Sequence, residues 1–153
     1  MKIAMASPYF KPHTGGTEKY VEDLSLQLIK QGHEVTVFCT NAPTNLNAPL
    51  AEEKNGLKIK RFPAWDIFYL PITKPFDLNL LKGFDIVHSH SPSFGYARSI
   101  GNQLAIPHIA TYHCDITFTG KAAGITVPKW FTWLLETLSD AYGRKVMAKV
   151  DGI

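Results

Sequence analysis

The chain has 153 residues, of which 45% are apolar and 19% charged, and it carries a formal net charge of +3. That is one domain's worth of a folded soluble protein, long enough to bury a real core and without a disordered tail. The mild charge, without basic runs interleaved with aromatics, argues against nucleic acid as a partner. No signal peptide and no apolar stretch long enough to span a bilayer is visible, so the expected location is the cytoplasm.

Met1 to Tyr9 is a short apolar run rather than a strict alternation, which predicts a strand covered on both faces. The segment Ser7 to Leu24, SPYFKPHTGGTEKYVEDL, then leaves this strand, crosses a loop with two adjacent glycines and enters an amphipathic helix. Glycine permits positive φ and lets a ligand approach the backbone without a Cβ in the way. A helix starting after such a loop aims unpaired N–H groups and its positive dipole end into a crevice. Gly15 and Gly16 are therefore candidates for holding a phosphate or diphosphate, against the simpler reading of a tight strand-to-helix turn. The helix is predicted over 17–31, with Tyr20, Val21, Leu24, Leu28 and Ile29 on one side and Gly32 ending it. The β-branched run HEVTVFCT follows, completing a strand–helix–strand unit with a right-handed crossover.

Residues 41–55 read as a long polar loop, and Leu57 to Phe62 as a more exposed strand alternating apolar and basic residues. From 63 to 76 three prolines argue against a regular element despite several aromatics. A short helix over 77–82 closes at Gly83. FDIVHSH is the next buried strand, 96–104 a helix, PHIATYHCD another buried strand, and a long helix runs from near Pro128 to about Lys149. Residues 151–153 open a further strand. Such alternation means an open parallel sheet with helices on both faces, in the order 3-2-1-4-5-6 or a close variant. Ligands bind such sheets at the carboxyl ends of the strands, where strand order reverses.

That rule gathers the loop at 9–17, the strand end at 88–92 and the strand end at 113–115 on one edge. His88 and His90 point to one face of their strand and Ser89 to the other. His113, at the end of a buried strand, can both donate and accept. His88 reads most simply as a neutral hydrogen-bonded strand-end histidine, and His33 as a favourable contact with a helix C-terminus. Cys39 and Cys114 read as buried reduced thiols rather than a disulfide or zinc ligands, since the spacing fits no compact metal motif. A dinucleotide fingerprint, a P-loop and a nucleophilic serine or cysteine pattern are all absent.

The string PxxGGxExxVxxLxxxLxxxGHEVxVxT, spread over Pro12 to Thr40, resembles the N-terminal signature of retaining glycosyltransferases of the GT-B fold. These form the large family-four group that uses nucleotide-diphosphate sugars. FDIVHSHSP and IPHIATYHCD resemble that family's next two strands, and the final helix followed by V-D-x-I also matches it. The resemblance covers essentially the whole chain. It implies an α/β, Rossmann-like, doubly wound domain over 1–153, one half of a GT-B fold, without the C-terminal donor domain.

By that resemblance Gly15 and Gly16 approach the donor diphosphate, His113 sits beside the transferred sugar, and Tyr9, Glu18 and His90 line the acceptor side. No metal or cofactor is implied; the donor is a nucleotide-diphosphate sugar and the acceptor a sugar or a lipid-linked sugar. The chain lacks the family's paired-glutamate motif and is expected to fold without catalysing transfer by itself. A stand-alone sugar- or phosphate-binding module is the alternative. Finally, TVPKWFTWLL (126–135) is unusually aromatic for a helix start: Trp130, Phe131, Trp133, Leu134 and Leu135 span nearly its whole circumference. Surplus aromatic surface of this kind predicts peripheral contact with a membrane, or cover by another domain.

Overall fold

The computed structural model describes residues 1–42, 47–67, 70–73, 77–90, 106–113, 121–122, 125–126 and 128–148. β1 (Lys2–Ala6) leads through a loop into α1 (Gly16–Lys30), which returns to β2 (Glu34–Thr40). β1 and β2 pair in parallel, Ile3 with Val35 and Met5 with Val37, so α1 forms a crossover connection between them. Side chains alternate across this sheet. Ile3, Met5, Val35, Val37 and Cys39 face α1, where Val21 is buried and Leu24, Leu28 and Ile29 pack onto them. Ala4, Ala6 and Phe38 face the opposite layer with Leu81 and Val87. Both faces are covered, which is why the strands read as apolar runs.

α1 ends in a Schellman arrangement. The Gly32 N–H donates to Ile29 O at 2.9 Å and the His33 N–H to Leu28 O at 3.1 Å, with Gly32 at φ +87°. The His33 ring lies 3.5 Å from the terminal amine of Met1. Its cap is therefore made by the backbone, not by the imidazole acting on the helix dipole. Tyr20, expected on the buried side of α1, is instead half exposed and turned toward the sheet edge.

Three sequence expectations are corrected beyond β2. The stretch 41–55 is not loop throughout, because β3 (Ala51–Lys54) pairs antiparallel with β4 (Leu57–Phe62). Asn55 (φ 53°) and Gly56 (φ 76°) form the two-residue connection, the Asn-Gly hairpin turn that requires positive φ at both positions. Residues 63–76 contain a two-stranded hairpin, β5 (Ala64–Ile67) with β6 (Leu70–Thr73). Pro71, the proline within its strands, is tolerated because a two-stranded ribbon has edges on both sides. The 77–82 helix is a single 3₁₀ turn (Leu78–Leu81), capped by Asp77 accepting from the Asn79 N–H at 3.0 Å and closed by Gly83 at φ +86°.

β7 (Ile86–His90) pairs in parallel with β1, and β8 (His108–Thr111) with β7. The six-stranded sheet runs β3-β4-β2-β1-β7-β8. Its five parallel strands are thus ordered 3-2-1-4-5, as expected, with β3 added antiparallel at the edge. A short hairpin, β9 (Lys121–Ala122) with β10 (Ile125–Thr126), precedes the long helix α2 (Lys129–Met147). The expected helix at 96–104, the strand at 151–153, and Cys114 with Asp115 lie outside the described residues.

Candidate functional site

Strand order reverses between β1 and β7, so the crevice belongs beyond their carboxyl ends. Two segments meet there: the loop from β1 into α1, and the histidine-bearing ends of β7 and β8.

Gly15 is the N-cap of α1 with φ −163° and ψ −178°, and no side chain caps the helix. This is extended backbone that any residue adopts, so the glycine pair is not required for positive φ, contrary to the sequence expectation. The reason is steric. A Cβ on Gly15 would collide with the Glu18 carboxylate, whereas a Cβ on Gly16 would meet nothing within 4 Å. Gly15 thus makes room for an internal side chain, and the space where a Gly16 Cβ would stand is open.

Glu18 is only 6% exposed, unusual for a carboxylate, and occupies the first turn of α1, where the helix dipole favours negative charge. Its Oε1 lies 3.3 Å from His13 Nδ1, and the His13 ring stacks on Tyr9 with centroids 4.9 Å apart. The loop is thereby tied to the helix it precedes. From the sheet side, Arg61 anchors the same loop: its buried guanidinium donates to Lys11 O at 2.5 Å and to Pro49 O at 2.7 Å, and pairs with Glu52.

Parity puts His88 and His90 on the α1 face of β7, with ring centroids 4.2 Å apart, while Ser89 points to the other face and meets His108 Nε2 at 2.8 Å. His88 Nε2 lies 2.8 Å from Thr111 Oγ1, the tie expected of a strand-end histidine. His90 Nδ1 lies 3.1 Å from His113 Nε2, joining the ends of two adjacent strands. Tyr20 of α1 closes the group edge-on, its ring centroid 5.1 Å from His113 and 5.8 Å from His90.

The cluster is held neutral. Burial lowers the His88 pKa, and the neighbouring His108 and His113 push it further down. His90, only 1% exposed, is lowered to about 3 by burial and by His88 and His113 beside it. His113 is lowered by burial and pulled partly back by the Glu18 carboxylate. Held toward their neutral forms, the three imidazoles offer donors and acceptors rather than positive charge. Among the described residues no group of three His, Cys, Asp or Glu side chains could hold a metal ion. Cys39 is a buried free thiol whose pKa burial pushes up to about 12. It is inert core.

The structure therefore brings Tyr9, Gly15, Gly16, Glu18, His90 and His113 to one edge. Tyr20, His13 and Arg61 were not singled out from the sequence. Tyr20 hides among helix positions of apolar spacing, and Arg61 among the basic residues of β4. A separate cavity of about 340 Å³, lined by residues including Phe10, Lys11, Glu22, Leu26, Leu57 and Ile59, contains none of the three histidines.

On α2, Trp130 is 66% and Trp133 64% exposed, with Phe131, Leu134 and Leu138 also on the surface. Among the described residues no helix is long and apolar enough to cross a membrane.

Residues 14–153 match the sequence profile of Glycosyltransferase Family 4. The chain is 30% identical over 147 residues to the phosphatidylinositol N-acetylglucosaminyltransferase GPI3 subunit of Saccharomyces cerevisiae, in sequences from three strains, with 89% of the chain aligned. It spans 32%, about a third, of the length of these relatives. Among solved structures it is similar to sucrose-phosphate synthase from Thermosynechococcus elongatus, with a TM-score of 0.50 and 18% identity, covering 74% of this chain and 33% of that one. That likeness is one of fold: an α/β domain of the kind that forms half of a GT-B enzyme.

Proposed function

This chain belongs to glycosyltransferase family 4, and from that premise we propose that residues 1–153 form the N-terminal, acceptor-side half of an enzyme transferring a hexose-type sugar from a nucleotide-diphosphate donor with retention of configuration. The observation that carries this reading is the uncapped start of α1, with open space at Gly16, on the helix whose Tyr20 meets His113 edge-on.

Cleaving a sugar–phosphate bond builds negative charge on the departing diphosphate. Fixed N–H groups and the positive end of a helix stabilise that charge without reorganising. Gly16 is assigned to the diphosphate for this reason, and Gly15 to keeping the turn tight enough for Glu18 to fold beneath it. His113, neutral and partly exposed, is assigned to the transferred sugar, where an imidazole N–H meets a hydroxyl or phosphate oxygen. Tyr9, Glu18 and His90 belong to the acceptor side of the same group. Glu18 acts there through His13, and His90 from behind His113. In this reading the nucleotide is held by a second Rossmann-like half, so the 153-residue chain alone binds without turnover.

A lipid-linked acceptor is supported by two things: the relatives whose name gives phosphatidylinositol as the acceptor, and the exposed tryptophans of α2. The test is product analysis of the full-length protein with a panel of nucleotide-diphosphate sugars and with soluble and lipid-linked acceptors. A glycosylated product whose anomeric configuration matches the donor supports the reading, and an inverted product overturns the retaining assignment. Saturable binding with no product would place the protein with sugar- or phosphate-binding modules instead.

A further inference from the structure

We propose that His90 is a positioning residue that sets the tautomer of His113: His90 donates its Nδ1–H to His113 Nε2, so that His113 keeps its own proton on Nδ1 and presents that N–H to the crevice.

The inference starts from an unpartnered atom. His90 is 1% exposed, and its Nε2 is buried with no hydrogen-bond partner. A neutral imidazole carries one N–H and one bare lone pair. If the His90 proton were on Nε2, a buried donor would be orphaned while Nδ1 accepted from His113. With the proton on Nδ1, the N–H is used at 3.1 Å and only a lone pair is left bare. Orphaned buried N–H groups are rarer in folded proteins than under-used acceptors, because a lost donor bond has no substitute in the interior. The second arrangement therefore wins.

The surroundings give the proton nowhere else to go. On β7, the His88 ring lies 4.2 Å from that of His90 at a tilt of 36° and spends its Nε2 on Thr111. On α1, Tyr20 meets both rings edge-on. The Glu18 carboxylate, which sits against His13, is the charged group whose field reaches His113. His108 lies on the opposite face with Ser89. With Nε2 of His113 occupied by a donated hydrogen, protonating that nitrogen would set two N–H groups against each other. Donation to the neutral form disfavours the charged one. His113 thus faces the crevice as a neutral donor whose orientation and tautomer are decided one residue further in, much as outer hydrogen bonds orient a histidine that binds a metal.

The role in transfer rests on the proposed function, but the tautomer does not. Long-range proton–nitrogen correlation on the 153-residue chain with nitrogen-15-labelled histidine reads the protonated nitrogen of each ring directly. The expected result at neutral pH is a proton on Nδ1 of His113. His90→Leu removes the donor, so the Nδ1–H tautomer of His113 loses its dominance and its apparent pKa rises by about half a unit to one unit. His90→Asn, whose side-chain amide N–H stands near the position of Nδ1, restores both. A proton on Nε2 of His113 in the unaltered chain overturns the proposal, as does a His90→Leu spectrum in which His113 is unchanged. If His90→Leu does not fold, the unaltered chain and His90→Asn still decide, since the proposal requires the same tautomer in both. A locked tautomer in a full-length protein that transfers no sugar would uphold this inference and overturn the proposed function.

Discussion

His90 Nδ1 and His113 Nε2 stand 3.1 Å apart across 23 residues of chain, a tie between the last residue of β7 and the segment just past β8. The pair exists because parallel pairing sets His90 opposite Thr111, two residues before His113. His90 is buried and His113 partly so, and burial holds both rings toward the neutral form.

That neutrality makes the fold sensitive to acid. The His90 pKa in the folded chain is about 3, against an ordinary 6.5. Between those values the unfolded chain holds a proton that the folded chain does not, so stability falls as pH drops below about 6.5. His90 alone contributes a slope of at most about 1.4 kcal/mol per pH unit, and His88 and His113 shift in the same direction. Denaturant unfolding followed at several pH values should show this decline, and His90→Asn should make it shallower while His88 and His113 sustain the rest. A stability that stays level on acidification would contradict the buried neutral cluster.

The two glycines should respond differently. Gly15→Ala drives a Cβ into the Glu18 carboxylate. Displacing that buried side chain should cost on the order of 1–2 kcal/mol in the chain itself. At Gly16 a Cβ meets nothing within 4 Å, so Gly16→Val should unfold at nearly the original temperature. In the full-length enzyme, however, Gly16→Val should lower kcat/KM for the sugar nucleotide by about 100-fold or more, because the new methyls fill the approach to the helix N–H groups. Unchanged kinetics would make the loop a structural turn.

Arg61→Met tests whether the loop is clamped from the sheet. The substitution leaves the carbonyls of Lys11 and Pro49 without their donor, and removes the partner of Glu52. A loss on the order of 1–2 kcal/mol follows from the lost part-buried hydrogen bonds, whose acceptors water can partly rejoin, as it can Glu52, a third exposed. Amide exchange in 8–14 should quicken as well. A variant as stable as the parent would show that the guanidinium merely fills space.

Trp130→Ser with Trp133→Ser tests the surface of α2. Co-sedimentation of the full-length protein with anionic vesicles at low salt should be weak and reversible, and should fall at least several-fold in the double variant. Absence of binding by the parent protein, or equal binding by both, would remove the membrane from the account.

Much of the fold was legible because period and punctuation are local properties. β1, α1, β2 and β7 follow from apolar runs, helical spacing and the glycine at the end of α1, and the order of the parallel strands follows from their alternation with helices. The Asn55-Gly56 hairpin was equally local but was absorbed into a polar stretch, and the β5–β6 pair was hidden by prolines, of which its strands carry Pro71. Alternation also placed His88 and His90 together on one face and Ser89 on the other.

By itself, then, the sequence determined the family, the parallel sheet and the edge at which Gly15, Gly16, Glu18, His90 and His113 gather. Only the tertiary structure decided what each of them does there. Gly15 yields to the carboxylate of Glu18 rather than to a positive φ. Tyr20 leaves the apolar side of α1 for the histidines, Arg61 turns inward to hold a loop fifty residues earlier, and His90 faces His113. The reason is physical. Secondary structure answers to neighbours a few positions away, whereas burial, pKa and hydrogen-bond partners are set by atoms that the chain brings together only when strands from distant segments pair.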